Sequence, residues 1–174
     1  MALKLIYDPE QGKVLGAQAV GKNGVDKRID VIATAIRAGM TTFDLEEIEL
    51  AYAPPFGSAR DPVNIAGFVA SNILRGDSKM IYWQDVKALD PHKDILLDVR
   101  NPDEVARGAI EGAINIPLPQ LRSRLDELPA DRRIIVYCQV GQRAYYAYRI
   151  LAQRGFSAAN LCGGFKTYSH AIRD

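Results

Sequence analysis

The chain has 174 residues, 48% hydrophobic and 25% charged, which is enough apolar surface for a core and excludes wholesale disorder. Its 22 Lys+Arg nearly balance 21 Asp+Glu, so the net charge of +1 gives no electrostatic attraction to nucleic acid or to an anionic lipid surface. No apolar run approaches the ~20 residues needed to cross a bilayer, and two cysteines are too few for a disulfide scaffold or a thiolate zinc site.

Leu3, Leu5 and Tyr7 alternate with Lys4, Ile6 and Asp8. This is a strand pattern rather than the basic-then-apolar layout of a signal peptide, so the cytoplasm is the default compartment. Residues 14–20 read as a second strand, and Asp8-Pro9-Glu10-Gln11-Gly12 between the two is turn chemistry, predicting a hairpin. Val25, Ile29, Ile32, Ala33 and Ile36 form an apolar stripe at helical spacing that Gly39 terminates. A short acidic helix follows, with Thr42 as its cap and Leu45 and Ile48 turned inward. The prolines of Ala53-Pro54-Pro55-Phe56-Gly57-Ser58 exclude regular helix or central strand. Asp61 then caps a helix that Pro62 opens, along which Ile65, Phe68, Val69, Asn72 and Ile73 recur before Gly76 ends it.

Beyond this point the order of elements changes. Residues 81–89 read as an opening helix. Short apolar segments at 94–99, 113–116, 133–138 and 159–162 alternate with helical patterns at 102–107, 118–128 and 142–153. Such alternation predicts an α/β unit with a parallel sheet covered by helices on both faces. The chain is thus read as two domains, 1–78, a partial α+β unit, and 79–174. It contains neither a Gly-x-Gly-x-x-Gly after a strand nor a Gly-Lys-Ser/Thr phosphate loop, so it is expected to hold no dinucleotide by itself.

Chemistry concentrates in Ile134-Ile135-Val136-Tyr137-Cys138-Gln139-Val140-Gly141-Gln142-Arg143. A buried strand ends at a cysteine, a tight loop follows, and a helix opens with an arginine in its first turn. Ligands of open parallel sheets bind beyond the carboxyl ends of strands. Backbone N–H groups of a short loop and the positive end of the following helix both favour a sulfur anion at Cys138. Gly141 permits a positive φ and close approach, and Arg143 can hold an oxyanion through paired hydrogen bonds. Gln139, Val140, Gly141 and Gln142 complete a small anion cradle around a nucleophilic sulfur. Cysteine phosphatases place one more residue between Cys and Arg, so the shorter loop disfavours a phosphatase and suits a terminal sulfur atom.

This segment resembles the active-site loop of the rhodanese family of single-domain sulfurtransferases. The likeness extends over residues 80–174 through Leu97-Asp98-Val99-Arg100, through Gly108-Ala109-Ile110-Glu111-Gly112-Ala113-Ile114-Asn115-Ile116-Pro117, and through Leu161-Cys162-Gly163-Gly164-Phe165. Ala109 stands where the family more often has histidine. The resemblance implies that Cys138 takes a sulfane sulfur, becomes a persulfide, and yields it to a thiol acceptor. The first domain resembles the C-terminal dimerisation domain of flavin-dependent pyridine-nucleotide-disulfide oxidoreductases. The best matches are Val25-Asp26-Lys27-Arg28-Ile29-Asp30-Val31-Ile32-Ala33-Thr34-Ala35 and the stretch 51–64 from Ala51-Tyr52-Ala53-Pro54-Pro55 to Val63-Asn64.

Together the two parts are similar to the tail of a coenzyme A-disulfide or persulfide reductase, without its flavin and nicotinamide domains and without the opening of its dimerisation domain. FAD, NAD(P)H and coenzyme A are therefore implied only for a full-length relative, where the tyrosine matching Tyr52 faces the partner subunit's flavin. The same resemblance implies a possible homodimer. No metal is expected. The sulfur donor is left open among thiosulfate, a polysulfide, a low-molecular-weight persulfide and coenzyme A persulfide.

Other readings stand beside these. A non-catalytic dimerisation or docking module could relay sulfur to a separate reductase. Asp98 and Arg100 are expected to brace the loop rather than touch substrate. Cys162 reads as strand-end packing before it reads as a resolving thiol. Tyr145, Tyr146 and Tyr148 point in different directions on a helix, so at least one belongs to the core. Arg122, Arg124, Arg132 and Arg133 read as a solvated face balanced by Asp126, Glu127 and Asp131 before they read as an anion-docking patch.

Overall fold

The structure, a computed structural model, describes residues 1–172. The chain divides into two compact units, Met1–Asp77 and a second that begins at Ser78.

In the first unit, β1 (Ala2–Tyr7) and β2 (Val14–Val20) pair antiparallel, with Leu3 opposite Ala19 and Leu5 opposite Ala17. Asp8 makes the turn: its Oδ1 accepts from the N–H groups of Glu10 and Gln11, at 2.9 and 2.7 Å. Helix α1 (Val25–Arg37) buries Ile32 and Ala35 against Val14, Leu45 and Val63, whereas Ala33 faces solvent. The short α2 (Thr42–Glu47) is capped by Thr41, not by Thr42. The Thr41 hydroxyl accepts from the Asp44 N–H and the Asp44 carboxylate accepts from the Thr41 N–H, a reciprocal box that needs the acidic residue three places on. Thr42 is instead buried in the first turn.

Helix α3 (Pro62–Leu74) begins where Asp61 accepts from the Val63 N–H. Buried Asn64 donates to the carbonyls of Leu45 and Ile48, satisfying acceptors that the end of α2 leaves open. The apolar recurrence along α3 does not mark its buried face. Val63, Gly67, Ala70 and Ser71 are buried, while Ile65 and Val69 are 47% and 46% exposed. The reason is the close approach of α2: a Cβ on Gly67 would lie 2.5 Å from the Glu46 amide nitrogen, so the small side of the helix must face inward. The proline stretch after α2 forms a turn in which Phe56 and Gly57 donate to the Ala53 carbonyl, and it leaves Tyr52 and Phe56 exposed.

The second unit is the α/β arrangement expected from its alternating pattern. Five parallel strands run in the order β3-β7-β6-β4-β5. They are β3 (Met80–Ile81), β4 (Asp94–Asp98), β5 (Ile114–Asn115), β6 (Arg133–Tyr137) and β7 (Ala158–Leu161). The period of two along β6 sends Ile134, Val136 and Cys138 to one face, against Leu121, Leu128, Ala147 and Leu151. Ile135 and Tyr137 go to the other, against Val86, Ile110, Leu161 and Phe165. The helices are α4 (Pro102–Val105), α5 (Leu118–Leu121), α6 (Gln142–Gln153) and α7 (Gly164–Ala171).

Three expected helices depart from their patterns, the 102–107 helix ending at Val105. The opening helix at 81–89 is a short edge strand followed by 3-10 turns at Trp83–Ala88, because Met80 and Ile81 pair with Asn160 and Leu161. The helix expected over 118–128 stops at Leu121, where the Gln120 carbonyl accepts both the N–H and the hydroxyl of Ser123 and no longer serves the next turn. A separate 3-10 turn, Leu125–Glu127, brings Leu128 into the core. Among the described residues, no helix is long and apolar enough to cross a membrane.

Candidate active site

The site lies where β6 runs out. Cys138 follows the last strand residue and is 1% exposed, at the start of the loop that leads into α6. The loop reverses at Gly141, whose φ of 106° is a conformation open to glycine and costly for other residues. That reversal aims the Gly141 N–H at Cys138, with nitrogen 3.2 Å from Sγ. Helix α6 starts at the next residue, so its unpaired amides and positive dipole end share the same small volume.

Two glycines after β7 set the loop's orientation. Gly163 and Gly164 have φ of 73° and 60° and open α7 beneath the loop. The first turn of α7 supplies donors: the Phe165 N–H meets the Cys138 carbonyl at 2.8 Å and the Lys166 N–H meets the Gln139 carbonyl at 3.0 Å. With these carbonyls held on α7, the loop turns its Gly141 amide towards the sulfur. A Cβ on Gly164 would overlap the Cys138 carbonyl oxygen and lie 2.9 Å from the Gln139 carbonyl carbon, so a side chain does not fit there. From the third side, the Asn160 amide donates to the Gly141 carbonyl at 3.3 Å. Asn160 is buried, and its Oδ1 finds no hydrogen-bond partner among the described residues.

Below the loop is a buried ion pair. Asp98 and Arg100 are each 1% exposed and meet through forked hydrogen bonds of 2.6 to 3.0 Å. Arg100 also donates to the Gly108 carbonyl at 2.8 Å and to Gln139 Oε1 at 3.3 Å. Its guanidinium lies 4.3 Å from the ring centroid of Phe165. The pair and the ring form a rigid floor tied to the loop through Gln139. Burial pushes the neighbouring Tyr137 phenol well above its ordinary value, so that group stays protonated, and its oxygen accepts from the Ile110 N–H.

Arg143 is held from α4. Its two Nη atoms donate to the two oxygens of Glu104, both at 2.7 Å. The hydrogen bonds from Arg143 are the main force that holds the Glu104 carboxyl down at about 2. The pair correspondingly raises Arg143, with a smaller contribution from Cys138.

Residues 83–171 match the rhodanese-like domain. The chain belongs to the rhodanese-like family. Residues 1–62 match the pyridine nucleotide-disulphide oxidoreductase dimerisation domain. The chain is similar to the crystal structure of reduced Bacillus anthracis CoADR-RHD, with a TM-score of 0.95 and 47% identity, over 98% of this chain and 31% of that one. It is also similar to a NAD-dependent persulfide reductase from A. fulgidus, with a TM-score of 0.86 and 43% identity, over 95% of this chain and 30% of that one. A coenzyme A disulfide reductase of Staphylococcus aureus (strain bovine RF122 / ET3-1) is 46% identical over 68 residues, 39% of this chain and 16% of the reductase. The chain thus spans a third or less of the length of these relatives.

Within the rhodanese-like domain, the structure brings Cys138, Gln139, Gly141, Arg143, Asp98 and Arg100 together, with Val140 exposed at the rim and Gln142 on the open face of α6. Arg143 is not an isolated cation, because Glu104 already occupies it. Burial pushes the Cys162 thiol up, and the Cys162 N–H donates to the Ile81 carbonyl, a strand-end role. Tyr148 belongs to the core while Tyr146 is half-exposed. Arg124 and Arg133 pair with Glu127 and Asp94, as a solvated face would. Tyr52 lies exposed in the first unit. Glu104 and Asn160 join the site without having been singled out in the sequence. Glu104 sits within the 102–107 helical pattern, but its partner is far along the chain. No cluster of His, Cys, Asp or Glu among the described residues could hold a metal ion.

Proposed function

We propose that this chain is a sulfurtransferase that carries sulfane sulfur as a persulfide on Cys138. The observation that carries the reading is the Gly141 N–H donating to Sγ at the mouth of a strand, beside the first turn of α6. In the first half-reaction, the Cys138 thiolate attacks the outer sulfur of the donor. The donor's sulfur–sulfur bond breaks, and its electron pair leaves with the inner fragment: sulfite from thiosulfate, or a thiol from an organic persulfide that brought its own proton. The product, Cys138–S–S⁻, extends into the cradle of residues 139–143, where amide dipoles stabilise the displaced charge. An acceptor thiolate or cyanide then attacks the terminal sulfur and regenerates Cys138. None of these steps calls for a metal, flavin or nicotinamide. In a longer protein of the coenzyme A disulfide reductase type, the persulfide would be handed to a flavin site on another domain.

The test is intact mass and peptide mapping after incubation with thiosulfate and, separately, with coenzyme A persulfide. One added sulfur on Cys138, removed by cyanide and absent from a folded Cys138→Ser variant, is the expected result. No adduct from either donor would overturn the reading and leave a dimerisation or docking module. The dimerisation-domain match, together with exposed Ile65 and Val69 on α3, supports a homodimer through the first unit.

A further inference from the structure

The two arginines that contact the loop or open its helix are each matched by a carboxylate. Arg100 is neutralised by Asp98 in the floor. Arg143 gives both Nη groups to Glu104, whose Oε2 also accepts from the Asn101 N–H at 3.2 Å, so the carboxylate is fixed at the start of α4. Glu104 stays ionised throughout the neutral range. Anion stabilisation at the sulfur therefore comes from dipoles, the Gly141 N–H and the α6 terminus, together with an Arg143 charge that Glu104 largely compensates.

We propose that Glu104 is a positioning residue that sets donor specificity: by holding Arg143 and cancelling its charge, it biases Cys138 against thiosulfate, which carries two charges on the reacting group, and towards organic persulfides. This rests on Cys138 being the sulfur carrier. Thiosulfate brings two negative charges to a thiolate and leaves as dianionic sulfite. A fixed carboxylate beside Arg143 at the loop's helix end repels both that donor and that leaving group. An uncharged organic persulfide, R–S–SH, gives Cys138–S–S⁻ and R–SH, so one negative charge is present before and after. The cradle's amides suffice for it.

The experiment measures kcat/KM on the full chain with thiosulfate and with 2-hydroxyethyl persulfide, cyanide being the acceptor, in the wild type, Glu104→Gln and Glu104→Asp. Glu104→Gln keeps the shape and removes the charge. The ratio of thiosulfate to persulfide efficiency should rise about tenfold, mainly through a lower KM for thiosulfate. Glu104→Asp keeps the charge and should return the ratio towards the wild type. A ratio in Glu104→Gln that stays within about twofold of the wild type, or that matches Glu104→Asp, overturns the assignment. If wild-type Cys138 takes sulfur from neither donor, the carrier reading itself fails and the specificity claim falls with it. Melting curves establish that both variants are folded.

Discussion

Gly164→Ala is the sharpest test of how the fold builds its sulfur loop. Gly164 has φ of 60°, and Gly155, just after α6, has φ of 83°. An alanine in either place meets the same backbone penalty, about 1 kcal/mol. Nothing lies within 4 Å of a Cβ at Gly155, whereas at Gly164 the Cβ overlaps the Cys138 carbonyl. Relief requires α7 and the loop to part, which sacrifices the Phe165 N–H to Cys138 and Lys166 N–H to Gln139 hydrogen bonds. Each of those contributes about 1 kcal/mol, so Gly164→Ala should cost about 3 kcal/mol and Gly155→Ala about 1. Urea unfolding followed by fluorescence reads this directly, since Trp83 is the single tryptophan and lies in the second unit. Sulfur uptake on Cys138 should fall about tenfold in Gly164→Ala, because the Gly141 amide loses its aim. Equal destabilisation of the two variants would refute the argument, since only the contacts with Cys138 and Gln139 separate them.

Asp98→Asn leaves Arg100 buried with its charge uncompensated, and should destabilise the second unit by about 3–5 kcal/mol in the same urea experiment. The carboxyl of Glu104 is lowered from its ordinary 4.5 to about 2, so its pair with Arg143 stabilises the fold above pH 4.5 and that contribution disappears as pH falls towards 2. The stability difference between wild type and Glu104→Gln should be about 1 kcal/mol at neutral pH, after allowance for partial exposure, and should vanish near pH 2. Val69→Asp puts a charge on the exposed face of α3 without touching its buried side, and light scattering should show a shift from dimer to monomer. An unchanged mass would move the interface off that face.

A structure organised this way explains why the signature residues are what they are. Gly163 and Gly164 serve the cysteine more than they serve their own helix, because α7's first amides hold the loop's carbonyls. The Asp98–Arg100 pair serves the same loop from below through Gln139. Breaking the pair should therefore loosen the loop at Cys138 as well as destabilise the unit, through one contact.

By itself the sequence determined the strands β4, β5, β6 and β7, the end of β6 just before Cys138 and the helix that opens at Gln142. These are local matters: β-branched runs, a glycine that accepts positive φ, and periodicities of two and 3.6 are all written along the chain. Tertiary structure decided what sits across from what. Ile65 and Val69 repeat at helical spacing, yet Gly67 faces inward, because the distance between α2 and α3 and not the hydrophobicity of the helix chooses its buried side. The 118–128 pattern breaks where Ser123 takes the Gln120 carbonyl, a competition that spacing alone does not show. Arg143 looks free in sequence and is held by Glu104 in space, 39 residues away, because β4 and β6 are neighbours in a parallel sheet and their following segments emerge side by side. The loop at Cys138 was legible because its own neighbours create it, whereas the pairing of Arg143 was not, because Glu104 comes from a segment that only the sheet order brings beside it.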